Sequence, residues 1–152
     1  MEKDVMDILA SKDDEYAYAY AKKIVSESAE SDCWYSFFDE FIKLLEHPKS
    51  LVRNRAIYII SANARWDSEN RLDAIIDEYL KHIVDIKPIT ARECIRSLVE
   101  IGQAKPKLVD KILETLNDAD LSQYRDSMRP LIEKDIKEAV DALNSIKKAH
   151  FD

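Results

Sequence analysis

The sequence repeats one helical pattern four times, at spacings of 35, 39 and 37 residues. The four copies align when the following residues are placed in the same position: Ala17, Val52, Ala91 and Met128. Apolar residues recur four and eight positions after each of these anchors, and in three copies also seven positions after it. Apolar side chains at i, i+4, i+7 and i+8 form one face of an α-helix. A repeat of this length, which cannot bury that face alone, is typical of a stacked α-solenoid.

Glycine is almost absent, which limits the chain to few kinds of structure. Gly102 is the only glycine among 152 residues, and there are four prolines, whereas average usage would give about ten glycines. Tight β-hairpins and phosphate-binding loops depend on glycine for their backbone conformation. We therefore predict an all-α chain and exclude P-loop and dinucleotide-binding functions.

The apolar periodicity predicts eight helices in four antiparallel pairs joined by short links. This arrangement is a short right-handed α-solenoid, predicted as a single domain over residues 1–152. The predicted helices span about residues 2–10, 13–29, 33–46, 50–65, 68–84, 88–103, 106–117 and 126–149. The helix at 33–46 is the most aromatic, and the spacing of Trp34, Phe38, Phe41 and Leu45 predicts that they pack in the core.

The composition also limits the partners and the cellular compartment that we expect for the protein. The net charge of −7 opposes binding to nucleic acid or to an anionic membrane. No apolar run approaches the roughly 20 residues of a membrane span, and the acidic first residues do not resemble a signal peptide. We expect a cytoplasmic protein in which Cys33 and Cys94 are reduced and largely buried.

The second helix of each predicted pair resembles the inner helix of HEAT-like repeats. The segment 51–56, Leu-Val-Arg-Asn-Arg-Ala, followed by Ile59 and Ile60, matches that pattern, and the segments 89–95 and 127–132 follow it less closely. The resemblance implies a scaffold that presents a protein-binding surface.

One element of the HEAT-like pattern differs in this chain. HEAT-like repeats usually carry an aspartate six residues before the arginine of the inner helix, where it forms a ladder between repeats. This sequence has His47, Ile86 and Gln123 at those positions. We therefore do not expect the ladder in its usual form.

Three segments, 63–67, 88–92 and 126–132, also resemble a small group of HEAT-like bacterial proteins. The resemblance to that group extends over most of the chain. Some of those proteins carry a SufBD (iron–sulfur assembly) name. Two cysteines 61 positions apart do not supply the roughly four thiolates that a cluster needs. The three histidines are isolated, and no Cys/His spacing matches a zinc site. We therefore predict no cofactor, no metal site and no enzyme activity.

The arginines are concentrated in the predicted second helices. Seven of the eight lie in or at the entry to a second helix, and only Arg71 lies in a first helix. Arg53, Arg92 and Arg129 directly follow their anchors, so each projects beside the buried face at about 100° from the anchor. We call these three the rung arginines, and Tyr18 takes their position in the first copy.

Two interpretations of these arginines remain open at this point. They either pair with groups of their own or an adjacent repeat, as Asp135 in the buried face suggests, or they form a groove that recognises anions. The anion interpretation requires at least two of Arg55, Arg65 and Arg96 to lack an acid of this chain within about 4 Å.

The leading hypothesis is a non-enzymatic scaffold or adaptor that binds an acidic or phosphorylated protein segment. The residues predicted to contact this partner are Tyr18, Arg53, Arg55, Tyr58, Arg65, Trp66, Arg92, Arg96 and Arg129.

Two alternatives come from other functional classes. HEAT-like alkylpurine glycosylases place aromatic, acidic and arginine side chains on such a surface, and Trp66-Asp67 beside Arg65 is a local counterpart. The charge of the chain argues against this DNA-lesion binder. The other alternative is a structural module that forms homo-oligomers through an open end of the solenoid.

Overall fold

The computed structural model describes residues 2–151, and every regular element in that range is a helix. The prediction of an all-α chain is therefore confirmed. The α-helices of this range are α1 (Glu2–Leu9), α2 (Asp14–Ser28), α3 (Phe38–Leu44), α4 (Ser50–Asn63), α5 (Arg71–Ala74), α6 (Ile76–Leu80), α7 (Pro88–Ala104), α8 (Val109–Asn117) and α9 (Arg129–Phe151). Short 3₁₀ turns lie at Tyr35–Phe37, Ala64–Trp66, Lys81–Val84 and Pro106–Leu108. None of the helices in residues 2–151 is both long and apolar enough to cross a membrane.

Three predicted helices differ clearly from the observed ones. The segment 33–46 is an α-helix only from Phe38 to Leu44, after a turn and the 3₁₀ turn Tyr35–Phe37. The segment 68–84 is divided into α5, α6 and a 3₁₀ turn, because the backbone leaves the helical range at Ile75 with φ −118° and ψ 18°. The last helix begins at Arg129 rather than at 126. Pro130 accounts for this start, since proline has no N–H and fits the first turn of a helix.

The chain divides into two compact units. Unit 1 comprises the residues up to Leu72, and unit 2 those from Asp73 on. In unit 1, helices α2 and α3 pack on α4, and α1 packs on α2; in unit 2, α7 and α8 pack on α9. The prediction of a single domain over residues 1–152 stays a prediction.

Helices α2 and α4 of unit 1 run parallel in the register that the repeat predicts. Asn63 Nδ2 donates to Ser28 Oγ at 3.0 Å, and both residues lie 11 positions after their anchors. Near the other end of the helices, Arg55 Nη2 contacts Asp14 Oδ1 at 2.8 Å. Early residues thus contact early residues, and late residues contact late ones.

Helices α7 and α9 of unit 2 also run parallel. Arg92 contacts Asp135 near the start of both helices, and Gly102 faces Leu143 further along. A Cβ atom at Gly102 would lie 2.6 Å from Leu143 Cδ2 and 3.3 Å from Val109 Cγ2. The single glycine therefore serves a close approach between helices rather than a turn.

The predicted apolar faces form the core of each unit. Ile60 and Ile95 are fully buried, whereas Arg65 is exposed, which confirms the predicted helical register. Three members of the aromatic stripe, Phe38, Phe41 and Leu45, are buried, and the fourth, Trp34, is half-buried. The face of α9 is less complete: Ile132 and Leu143 are buried, but Met128, Ile136 and Val140 are only half-buried.

The two cysteines have different environments. Cys94 is buried, as predicted, and its Sγ lies 3.6 Å from the Tyr79 carbonyl oxygen. Cys33 is exposed, so the prediction of a largely buried thiol is wrong at that position. The cause is the start of the aromatic segment, which is a turn before Tyr35–Phe37 and not a buried helix.

We expect the folded protein to react with one equivalent of a thiol reagent, at Cys33. Burial raises the pKa of the Cys94 thiol, which suppresses the reactive thiolate, and the side chain is also inaccessible. Ellman's reagent should count one thiol in buffer and two in guanidinium chloride. The Cys33→Ser variant should show none before unfolding. Two thiols that react at equal rates in buffer would contradict the prediction.

Candidate binding site

Two rung arginines are held by carbonyl groups of the loop that precedes their own helix. Arg53 Nη1 donates to the carbonyl oxygens of His47 and Pro48, at 3.0 and 3.1 Å. Arg129 Nη2 donates to the Tyr124 carbonyl oxygen at 2.7 Å. His47 is the residue six before Arg53, and it contacts the arginine through its backbone carbonyl and not through its side chain.

The third rung arginine is held by a carboxylate. Arg92 Nε donates to Asp135 Oδ2 at 2.6 Å, and the side chain of Asp135 is only 6% exposed. The hydrogen bond to Asp135 raises the pKa of Arg92. The prediction that Asp135 is paired is confirmed, and all three rung arginines make the carboxylate or carbonyl contacts that their structural interpretation requires.

The flanking arginines do not meet the requirement of the anion hypothesis. Arg55 is paired with Asp14, and Arg96 lies 3.3 Å from Glu93 and 3.6 Å from Asp135. Arg65 is exposed and donates to the Ala29 carbonyl oxygen at 2.7 Å. Within residues 2–151, only Arg65 of these three has no acidic partner. This condition of the anion interpretation is therefore not met, because Asp14 pairs with Arg55, and Glu93 and Asp135 lie beside Arg96.

The pair Trp66-Asp67 has structural partners. Trp66 Nε1 donates to the Ser28 carbonyl oxygen at 2.7 Å. Asp67 is 4% exposed, and its carboxylate accepts from the Tyr35 hydroxyl and from the backbone N–H groups of Arg71 and Leu72. It thus caps the start of α5. These contacts account for the two side chains, so the local argument for a DNA-lesion enzyme loses its support.

The structure brings three predicted site residues, Tyr18, Arg55 and Tyr58, together in one groove of unit 1. The groove lies between α2 and α4 and has a volume of about 300 Å³. Four further residues complete its lining: Asp14, Glu15, Leu51 and Asn54. We call it the α2–α4 groove. The other predicted residues, Arg53, Arg65, Trp66, Arg92, Arg96 and Arg129, do not line it.

The walls of the α2–α4 groove are apolar and accessible. Tyr18 is 48% exposed and Leu51 43% exposed, and Tyr58 is half-buried. Exposed apolar side chains that cluster around a depression are typical of binding surfaces. The groove can therefore bury apolar parts of another molecule.

The arginine of this groove is already neutralised by its own unit. The Arg55 side chain is 3% exposed, its Nη2 contacts Asp14 Oδ1 at 2.8 Å, and its Nη1 donates to the Leu9 carbonyl oxygen at 2.8 Å. Lys49 Nζ contacts the same Asp14 oxygen at 2.6 Å. Hydrogen bonds from Lys49 and Arg55 lower the pKa of Asp14. The Arg55 guanidinium is thus a structural link among α1, α2 and α4.

Two hydrogen-bond acceptors of the groove lack partners. Asn54 is 6% exposed, and its Oδ1 atom is buried without a hydrogen bond. Glu15 is exposed and makes no ion pair with any other residue that the structure describes. An unpaired buried acceptor costs about 1–3 kcal/mol. This cost applies to Asn54 Oδ1, whereas the exposed Glu15 carboxylate is hydrated by solvent.

The sequence prediction missed four residues of this groove: Asp14, Glu15, Leu51 and Asn54. Leu51, Asn54, Arg55 and Tyr58 follow the spacing i, i+3, i+4, i+7 and therefore share one face of α4. That spacing could have identified Leu51 and Asn54. Asp14 and Glu15 carry no such signal, because carboxylates at a helix start are explained by the helix dipole.

Unit 2 contains a larger depression of about 600 Å³ beside the turn Lys81–Val84. Three acids, Asp77, Asp118 and Asp120, are among its lining residues, and none of the predicted site residues is. No lining residue of this depression has a buried polar side-chain atom without a partner. Its size is the only feature that supports this depression as a binding site, so the α2–α4 groove is the stronger candidate.

Comparison of the chain with models of protein families, with curated proteins and with solved structures gave no match. Within the described residues, no group of three or more His, Cys, Asp or Glu side chains is placed to hold a metal ion. The prediction that the chain has no metal site stays a prediction.

Asp14 is expected to stabilise the fold only while it is ionised. Its pKa in the folded state lies below the ordinary 3.8, so its contribution is present above that value and is lost as the pH falls through the folded pKa. Asp14→Asn should lower the melting temperature at neutral pH, and the difference from the wild type should shrink below about pH 4. Thermal melts followed by circular dichroism across this range measure it. The exposed Asp32→Asn is the control, and a constant difference across the whole range would contradict the prediction.

Proposed function

We propose that the chain is a non-enzymatic protein-binding module that holds a segment of a partner protein in the α2–α4 groove. We further propose that it is a HEAT-like α-solenoid of antiparallel helix pairs. The parallel run of α2 with α4, and of α7 with α9, supports this architecture. The proposal includes a reducing, cytoplasmic setting, which the free thiols of Cys33 and Cys94 support.

The observation that carries the proposal is the coexistence of apolar walls and an unpaired buried amide in one groove. Tyr18 and Leu51 offer exposed apolar area, and the buried Asn54 Oδ1 beneath them makes no hydrogen bond within the described residues. Binding sites combine a mostly apolar lining with a few placed polar groups. A segment of a partner would cover the exposed apolar walls.

An acidic or phosphorylated partner would depend on arginines that are already engaged. Arg53, Arg55, Arg92 and Arg129 all donate to groups of their own unit. Arg65 and Arg96 are exposed but lie outside the groove. We therefore place the contact in the groove instead of on an arginine-rich surface.

Self-association is a second candidate function, favoured by exposed isoleucines of unit 2. Ile86 is 78% exposed and Ile89 53% exposed. Burial of such side chains between copies would stabilise a homo-oligomer. Sedimentation velocity at two protein concentrations tests it, and an unchanged sedimentation coefficient would remove it.

Site-specific photo-crosslinking in the native cell tests the main proposal. A photoreactive phenylalanine at Leu51 should give one or a few discrete protein adducts. The matched control is the same residue at Leu131, which lies in unit 2 and is 40% exposed, close to the 43% of Leu51. Tyr18→Ala, an exposed wall residue, should remove the adducts at Leu51 while leaving the protein folded. Equal adducts at both positions, or none at Leu51, would refute the proposal.

A further inference from the structure

Unit 1 contains a second groove, whose lining comes from α1, α2 and the segment 33–37. Its volume is about 280 Å³, and six of its lining residues are Asp4, Tyr20, Glu27, Cys33, Trp34 and Phe37. We call it the aromatic groove. It shares no lining residue with the α2–α4 groove, so a ligand bound here is independent of the proposed function.

Three aromatic rings line the aromatic groove in different orientations. The Tyr20 and Trp34 rings lie at 81° to each other with centroids 6.2 Å apart, and the Trp34 and Phe37 rings lie at 45° with centroids 5.7 Å apart. All three side chains are half-buried, so part of each remains accessible to solvent. Among the side chains that the structure describes, no Lys or Arg lies over these rings, whereas Tyr18 and Tyr35 each have a cation of this chain. The accessible π surface is thus available to a cation from outside the chain.

The charges around the aromatic groove favour a positive ligand. The lining contains two carboxylates and, within the described part of the chain, no Lys or Arg, whereas the α2–α4 groove contains Arg55. Trp34 Nε1 donates to Glu27 Oε1 at 2.9 Å, and Glu27 makes no ion pair with any described residue. Burial raises the pKa of Tyr20, and neighbouring groups, Glu27 and Asp4 among them, raise it further by their negative charge. The field of the carboxylates thus acts on the same rings that line the groove.

We propose that the aromatic groove binds the trimethylammonium head group of a small molecule, for which choline is the simplest probe. A quaternary ammonium has no N–H group, so it needs no hydrogen-bond acceptor, and its methyl groups pack on aromatic faces. A primary ammonium is a compact, strongly hydrated charge, so it would lose more hydration in the same place. The volume of about 280 Å³ is just below the usual range for ligand pockets, which favours a head group with a short substituent over a segment of polypeptide.

The test is a titration of the ¹⁵N-labelled full chain with choline chloride at constant ionic strength, followed by two-dimensional NMR. The matched ligand is 3,3-dimethyl-1-butanol, which has the shape of choline without its charge. We expect a saturable shift of the Trp34 indole N–H signal, with the Trp66 indole signal as an unmoved internal reference. The dissociation constant should be on the order of 1 mM, and the neutral isostere should bind at least about tenfold more weakly.

Two variants separate recognition of the cation from apolar packing. Glu27→Gln keeps an acceptor for the Trp34 N–H and removes the charge, so choline should bind about threefold to tenfold more weakly at an unchanged melting temperature. Its matched control is Glu30→Gln, an exposed acid outside the groove, which should bind choline as the wild type does. Phe37→Leu keeps an apolar side chain and removes one π face, so choline should again bind about threefold to tenfold more weakly.

The thiol of the aromatic groove gives a second measurement. Cys33 is exposed and lines the groove, so saturating choline should slow its reaction with N-ethylmaleimide. The neutral isostere at the same concentration should slow it less. An unchanged reaction rate at choline concentrations that saturate the NMR shift would place the ligand elsewhere and overturn the inference.

Several further outcomes would overturn the inference. These are equal affinities for choline and its neutral isostere, shifts spread over the whole chain, or unaltered binding by both Glu27→Gln and Phe37→Leu. A trimethyllysine peptide that binds more than about tenfold tighter than choline would assign the groove to a methylated partner protein instead of a small molecule. Co-sedimentation of the chain with phosphatidylcholine vesicles, abolished by Glu27→Gln, would assign it to a lipid surface instead.

Discussion

Arg92→Ala is expected to destabilise unit 2 by about 3–5 kcal/mol, because it strands a buried carboxylate. Asp135 is 6% exposed and accepts a 2.6 Å hydrogen bond from Arg92 Nε. The remaining cation, Arg96, lies 3.6 Å from Asp135 and is 49% exposed, so it compensates only in part. Urea unfolding followed by circular dichroism measures the loss.

The same ion pair offers an internal control. Position 135 corresponds to Ile59 and Leu98 in the other copies of the repeat, where the side chain is apolar and buried. The double change Arg92→Ala with Asp135→Leu should therefore recover most of the lost stability, since no charge is left stranded. Arg96→Ala alone should cost no more than about 1 kcal/mol. A double variant less stable than Arg92→Ala would contradict the assigned cause.

Ile95→Ala is expected to destabilise the fold by about 2–5 kcal/mol, the second large effect. Ile95 is completely buried on α7, and truncation both removes apolar contacts and leaves a cavity. The size of the loss depends on how far the neighbouring side chains can close that cavity. Urea unfolding under the conditions used for Arg92→Ala gives the comparison.

Ile89 on the same helix provides the matched control for Ile95. It is 53% exposed, so Ile89→Ala should stay within about 0.5 kcal/mol of the wild type. The two substitutions delete the same atoms from the same helix and differ only in burial. Similar losses at both positions would mean that the assigned face of α7 is wrong.

The repeat pattern was enough to predict the helical class and the buried faces. Spacings of apolar residues depend on local helix geometry, so Ile60 and Ile95 could be assigned to the core from sequence. The pairing of Asp135 could also be predicted, because a carboxylate in an apolar face needs a partner. The break at Ile75 could not, since the apolar pattern continues through it.

The partners of the arginines, and the existence of the groove, could not be predicted from the sequence. Asp14 pairs with Arg55 across 41 positions, and only the packing of α2 on α4 brings them together. Asn54 shows no unusual feature in the sequence, and its importance comes from burial without a donor. The number and positions of the arginines in the sequence therefore overestimated how many of them are available to a ligand.

Both tryptophans of the chain, Trp34 and Trp66, belong to unit 1, and residues 73–152 contain none. Indole fluorescence therefore follows the melting of unit 1 alone, whereas circular dichroism sums the helices of both units. Coincident midpoints from the two signals would mean that the chain unfolds as one cooperative body. Separate midpoints would let the thermal stability of each unit be measured independently. A ligand of the α2–α4 groove would then raise only the fluorescence midpoint, so a melt of the unlabelled protein would detect binding to unit 1.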